Sequence, residues 1–295
     1  MLVAATVAVA GCRCTEGRAV AEATVADEGL RTFACDRDEV CITHPLVKEE
    51  IRFTAVADSH FAFLDERDAE YRKHAARMMQ WPGKEEELDK AFAAAKGHKA
   101  EFVAMIGDMF SFPSLANIDF LKRKIAASGL ECWYVAGNHD WCFEGYRNQW
   151  AEQREKWIPE RMLGLYRGRD PMAYSFVKKG VRFVFVDNSV CRVTDGQVEF
   201  VRKELASGDP VVLFVHVPFY LNARSDPDTL AHPTKNGDAQ SKAINNGLYD
   251  RIGSVGMCCL YDYLDQDHHP LSFCIPTTET VPMVVGLGLL HNNQI

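Results

Sequence analysis

Six polar residues stand just after short apolar runs, and their types are those that hold metal ions: Asp58, His60, Asp108, Asn138, His139 and His216. Carboxylates, imidazoles and one amide are present, and no thiolate is among them. This mix of oxygen and nitrogen donors suits Mn, Fe or Zn, and the imidazoles make Mg or Ca alone a poorer match. A carboxylate shared by two cations about 3.5–4 Å apart is the arrangement that serves in-line attack on phosphorus. Such a pair polarises the ester and lowers the pKa of a bridging water, while an imidazole outside the ligand set can protonate the leaving oxygen or bind the phosphoryl group. The densest stretch is Gly137-Asn138-His139-Asp140. Alone it could equally be a polar turn, so its weight comes from the other motifs.

These side chains can act together only if the chain delivers them to one edge. Residues 51–57 alternate and then turn apolar, as a strand entering a core does, and end in Asp58-Ser59-His60. Charged, helix-favouring segments follow at 67–80 and 85–96, the second closed by Gly97. Residues 102–106 read as the next strand, ending in Gly107-Asp108; Ser114 then predicts the N-cap of a helix through Ser128, closed by Gly129. The apolar run 133–135 leads into Gly137-Asn138-His139, and 145–157 reads as helical. A strand at 181–186 ends in Asp187-Asn188, where Asp187 reads as structural. The spacing of Thr194 and Gln197 predicts a capping box opening a helix to Ala206, and the strand 211–215 ends at His216-Val217-Pro218. Alternating strands and helices with near-continuous apolar runs predict a buried sheet of the α/β or α+β kind. If the strand ends lie side by side, their polar residues converge on one crevice.

With 295 residues and 47% hydrophobic content, the chain can bury the core of one large domain or two small ones. A formal net charge of -8 argues against a nucleic-acid-binding surface. No apolar run approaches the ~20 residues of a spanning helix. The ten cysteines are scattered without paired Cys-x-x-Cys elements, which argues against a thiolate zinc site. Cys35 and Cys41 leave room for one disulfide.

Asp-x-His, Gly-Asp, Gly-Asn-His-Asp and His-x-Pro, in this order and each after a strand, resemble the motifs of the calcineurin-like metallophosphoesterases over roughly residues 51 to 220. The resemblance implies a two-sheet β-sandwich flanked by helices, of α+β/α/β class, with a dinuclear site at one edge. It makes Asp58 and His60 ligands of the first metal, Asp108 the bridge, and Asn138 and His216 ligands of the second. His139 would be the acid or phosphate-binding imidazole, oriented by Asp140. The implied activity is hydrolysis of phosphomono- or phosphodiesters by a metal-bridging hydroxide, with two divalent or trivalent ions (Mn, Fe or Zn) as cofactors. Two departures stand out. Ser111 occupies the place where the family often has an Asp or Asn supporting the catalytic histidine. The family's final Gly-His-x-His motif is absent as such: Gly288-Leu289-Leu290-His291 keeps the frame with a leucine in it, and His268-His269 has the wrong spacing. A degenerate, non-catalytic relative that keeps the fold as a binding module is therefore the alternative.

Three segments are expected: 1–12, 13–50 and 51–295. The run before Val9-Ala10-Gly11-Cys12 resembles a lipoprotein signal with lipid on Cys12, but lacks a preceding Lys or Arg. Export with membrane anchoring and a cytoplasmic location both stay open. Residues 13–50 read as a tether and irregular lead-in, and 51–295 as the phosphoesterase domain, incomplete at its C-terminus. The polar stretch 222–246 reads as a substrate-side loop. Trp141 and Phe219 are pocket candidates, while Phe61 and Phe63 read as core.

Overall fold

The computed structural model describes residues 3–10, 33–36, 39–43, 46–80, 82–144, 150–190, 193–217, 257–262, 272–274 and 284–289. It divides into two units, Met1–Ala4 with Phe53–Pro171 and Ala5–Arg52 with Met172–Ile295. Among the described residues the strands form two sheets flanked by helices, the mixed α/β arrangement that the alternating pattern predicts.

A strand β1 (Val3–Ala10) runs through the segment expected as a signal, and the lead-in holds two more where irregular chain is expected, β2 (Phe33–Asp36) and β3 (Glu39–Thr43). Runs of four or five residues are too short to display a period. β2 pairs antiparallel with β3, and β3 parallel with β1. Cys35 faces Val40 and Cys41 faces Ala34, so the two cysteines occupy diagonal positions of the ladder.

β4 (Ile51–Ala57), whose residues from Phe53 onward lie in the first unit, β5 (Phe102–Ile106) and β6 (Cys132–Val135) are parallel neighbours in that order. Their register, Val56 beside Met105 and Ile106 beside Val135, ends all three strands at one level. The helix expected over 67–80 is broken into a 3-10 segment Glu66–Tyr71, a short α1 (Arg72–Ala75) and a 3-10 turn Met78–Gln80. The reason lies at Asp68, whose φ of -123° is not helical. Its fully buried carboxylate accepts the Leu115 N–H at 2.7 Å and pairs with Arg161 at 2.7 Å, a tertiary demand that outweighs local helix propensity.

α2 (Glu85–Gly97) opens on three glutamates, which complement the positive end of its dipole, and buries Leu88, Ala91, Phe92 and Ala95 at helical spacing. His98 caps it, one residue beyond the expected glycine. α3 (Leu115–Ser128) is bounded as its sequence predicts: the Ser114 side chain accepts the Asn117 N–H, and Gly129 closes it at φ 66°. α4 (Trp150–Trp157) covers the later part of the predicted helix and runs into a π-helical turn, Ile158–Met162; residues 145–149 lie outside the described residues.

In the second unit β7 (Ala173–Lys178), which carries no clear alternation, pairs antiparallel with β8 (Val181–Val186). Lys179 and Gly180 join them, both at positive φ as a tight hairpin turn requires. α5 (Asp195–Leu205) starts with the predicted Thr194–Gln197 capping box and crosses from β8 to the parallel β9 (Val211–Phe214). With β10 (Met257–Asp262), β11 (Ser272–Cys274) and β12 (Val284–Leu289) the order is β11-β10-β12-β9-β8-β7. Phe185 stacks on Tyr174 and Phe214 in the interior of this unit.

Candidate metal centre

Beyond the strand ends of β4 and β5 the two chain segments stay side by side. The N–H groups of Asp58, His60 and Phe61 donate to the carbonyls of Gly107, Asp108 and Met109 at 3.1, 2.9 and 3.1 Å, and the Ser111 N–H returns to the Phe61 carbonyl at 2.8 Å. Within this ladder Asp58, His60 and Asp108 take φ of 55°, 48° and 50°. A left-handed backbone at a residue other than glycine costs about 1–2 kcal/mol, and it persists only where the surroundings dictate it. Here the ladder does so, and the three residues in that conformation are all candidate ligands.

The side chains meet. His60 Nε2 lies 3.5 Å from Asp58 Oδ1 and 3.8 Å from Asp108 Oδ2, and His139 Nε2 lies 4.0 Å from the same Asp108 oxygen. The two imidazoles stand edge to face with centroids 4.7 Å apart. One ligand atom each from His60, Asp108 and His139 falls within a 4.8 Å span, and the Asp58 and Asp108 carboxylates approach as closely.

The turn after β6 is clasped to the turn after β5. Asp108 Oδ1 accepts the His139 N–H at 2.8 Å. In return the buried Asp140 accepts the Gly137 N–H at 2.8 Å and the Phe110 N–H at 3.0 Å. Asp140, expected as the orienter of His139, thus braces both turns through their backbone. A Cβ on Gly137 would fall 2.2 Å from Asp108 Oδ1 and 2.4 Å from its backbone nitrogen, so this close approach requires glycine. Asn138 sits half-buried between Gly137 and His139 in that turn.

Burial alone lowers the pKa of His60, but the Asp58 contact and the charges of Asp108, Asp58 and Asp140 outweigh it and hold the group above its ordinary value. Burial, then the charge of Asp108, raises Asp140, against the pull of the Gly137 and Phe110 N–H groups and Tyr134. Buried carboxylates crowded in this way, with imidazole nitrogens between them, form a donor set that fits a divalent or trivalent cation.

His216 belongs to the second unit, where it follows β9 and is buried. Asn188 fixes that segment by accepting the Val217 N–H at 3.0 Å and donating to the Val217 carbonyl at 2.6 Å. Asp187 is structural, as expected: its Oδ1 accepts the Ser189 N–H at 2.8 Å, and its carbonyl accepts Gln197 Nε2 at 2.6 Å. Asn188 therefore anchors the His216 segment, and sequence reasoning passed over it because a side chain bonding a distant backbone leaves no spacing signal. Trp141, expected to line a pocket, is fully buried in the core. Phe61 is core as expected, stacked on Phe63. Phe219, His268, His269, His291, Cys12 and the stretch 222–246 lie outside the described residues.

A search of curated protein sequences gives no match. Among solved structures the chain is similar to a dimetal phosphatase from Danio rerio, at 14% identity and TM-score 0.40, covering 66% of this chain and 77% of that one. It is also similar to a purple acid phosphatase from yellow lupin (Lupinus luteus) seeds, at 16% identity and TM-score 0.38, covering 63% of this chain and 35% of the lupin chain. The family model of the calcineurin-like phosphoesterases matches residues 51–243, a span that holds every strand-end motif described above. With the motifs in that order and the match covering most of the chain, the protein belongs to the calcineurin-like phosphoesterases, a family of metal-dependent phosphoester hydrolases.

Proposed function

We propose that this chain hydrolyses phosphomono- or phosphodiesters at a dinuclear metal site. Asp58, His60 and Asp108 would hold one ion, and Asp108, Asn138 and His216 the other. The observation that carries this reading is the convergence of His60, Asp108 and His139 on a 4.8 Å span, with the backbone of Asp58, His60 and Asp108 held left-handed. When bound, such ions supply Lewis acidity toward the ester and lower the pKa of water at neutral pH. His139 lies outside the proposed ligand set and carries the proton for the leaving oxygen on its imidazole. The turn braced by Asp140 holds that imidazole beside Asp108, whose Oδ1 already grips the His139 backbone. Asp108 keeps its second oxygen toward His60 and His139, the place a shared ligand needs.

Leu289 favours a second reading, a relative that keeps the fold without turnover, because the resemblance expects a histidine there. Metal content of the purified protein, with turnover of an aryl phosphate and its diester before and after EDTA, separates the two. Metal-dependent turnover supports the enzyme; a metal-free, inactive chain after reconstitution with Mn, Fe or Zn refutes it. Export with lipid on Cys12 is a separate proposal motivated by Val9-Ala10-Gly11-Cys12. Mass spectrometry of the native N-terminus tests it, and an intact Met1 with unmodified Cys12 refutes it.

A further inference from the structure

The His60 carbonyl accepts two hydrogen bonds, one from the loop before α2 and one from the turn that follows Gly107-Asp108. The Gly83 N–H donates to it at 3.0 Å and the Ser111 hydroxyl at 3.2 Å. A carbonyl oxygen has two lone pairs, so this acceptor is saturated. The His60 N–H is held as well, by the Asp108 carbonyl at 2.9 Å. Both flanking peptide groups of a residue at φ 48° are therefore fixed from outside the segment.

The contact at Gly83 is closer than any other residue could make. A Cβ there would fall 1.6 Å from the Ser59 carbonyl oxygen and 2.8 Å from its carbon, both backbone atoms with no side-chain freedom to give way. Gly97, at the far end of the helix that follows, has nothing within 4 Å of its Cβ position. Ser111 is buried, and its own N–H bonds the Phe61 carbonyl, so its hydroxyl reaches His60 from a fixed backbone.

We propose that Gly83 and Ser111 are positioning residues that clamp the His60 carbonyl and so aim its imidazole at Asp58 and Asp108. In this chain the serine takes up a task at His60 through the backbone. The loop 82–84 meets the site just before α2 begins, so its glycine sets the position of a candidate ligand that comes earlier in the chain. The inference rests on the metal reading above.

The test uses the full chain with Gly83→Ala, Ser111→Ala, Ser111→Thr and Gly97→Ala. Mn²⁺ affinity is measured on each, the Co²⁺ absorption spectrum is recorded, and the His60 imidazole signals are followed by NMR in the metal-free proteins at one pH. Gly83→Ala should weaken Mn²⁺ binding by about tenfold to a hundredfold, as loss of a ligand-orienting contact does. Ser111→Ala, losing one neutral hydrogen bond, should weaken it by about twofold to tenfold, with Ser111→Thr restoring most of the loss. The Co²⁺ bands and the metal-free His60 signals should move in both variants and stay unchanged in Gly97→Ala. If Gly83→Ala does not fold, Ser111→Ala, which adds no atom, decides alone. Wild-type affinity and unmoved His60 signals in the folded variants overturn the clamp. A wild-type chain that binds no metal overturns the metal reading instead, and the metal-free His60 signals then judge the clamp separately.

Discussion

Replacing Asp108 by Asn should strengthen the metal-free fold while removing the metal. The side chain keeps its shape, and an amide oxygen can still accept the His139 N–H that Asp108 Oδ1 now takes at 2.8 Å. What goes is one negative charge in a buried cluster. The Asp58 and Asp108 carboxylate oxygens lie within 4.8 Å of each other, so at an effective dielectric of about 20 their repulsion is about 3.5 kcal/mol or more. Asp108 also pushes on Asp140, and part of both costs is offset because the same charge attracts His60. The net gain expected in EDTA is about 1–3 kcal/mol, read as a higher urea midpoint with an unchanged slope. With Mn²⁺ the order reverses. A wild-type chain at a hundred times its Kd gains about 2.7 kcal/mol from the ion, and Asp108→Asn should gain almost none. Elemental analysis should find Asp108→Asn poorer in metal than Asn138→Ala, since in the proposed dinuclear site a shared charged ligand would serve both ions and an amide only one. A destabilised Asp108→Asn in EDTA, or one that keeps full metal occupancy, refutes the reasoning.

Asp68→Ala leaves the Arg161 guanidinium and the Leu115 N–H without their buried acceptor, and should cost about 3–5 kcal/mol in urea unfolding; under about 1 kcal/mol means the pair is not a support of this fold. Thr194→Ala removes the hydroxyl that accepts the Gln197 N–H and should cost about 1 kcal/mol, measured the same way, with no change in metal affinity. Leu289→His should raise metal occupancy and phosphodiester hydrolysis together, because β12 pairs in parallel with β9, the strand that leads to His216, and Leu289 is its last residue. No change in either quantity, by metal titration and initial rates on one preparation, counts against a role for the tail.

The local devices were legible in the chain because they are short-range physics. Ser114 and Gly129 bound α3, and Thr194 with Gln197 opens α5, since caps and left-handed closures depend on residues within a turn of one another. The strand-end placement of Asp58, Asp108 and His139 followed from short apolar runs bounded by turn residues, which read as buried strands, and the family followed from the order of the motifs. The helix predicted over 67–80 failed for the opposite reason: Asp68 is drawn into a bond with Arg161, 93 residues away, and no local propensity reports such a demand. Asp140 looked like a partner for the histidine beside it, and tertiary contact with Phe110 made it a brace between two turns. The left-handed backbone at Asp58, His60 and Asp108, and the pressure of Gly83 on the Ser59 carbonyl, are likewise decided by segments that meet only after folding. Residue type supplied the chemistry of the site, but its distances come from parallel register, which couples strands about 50 residues apart through hydrogen bonds that carry no sequence code.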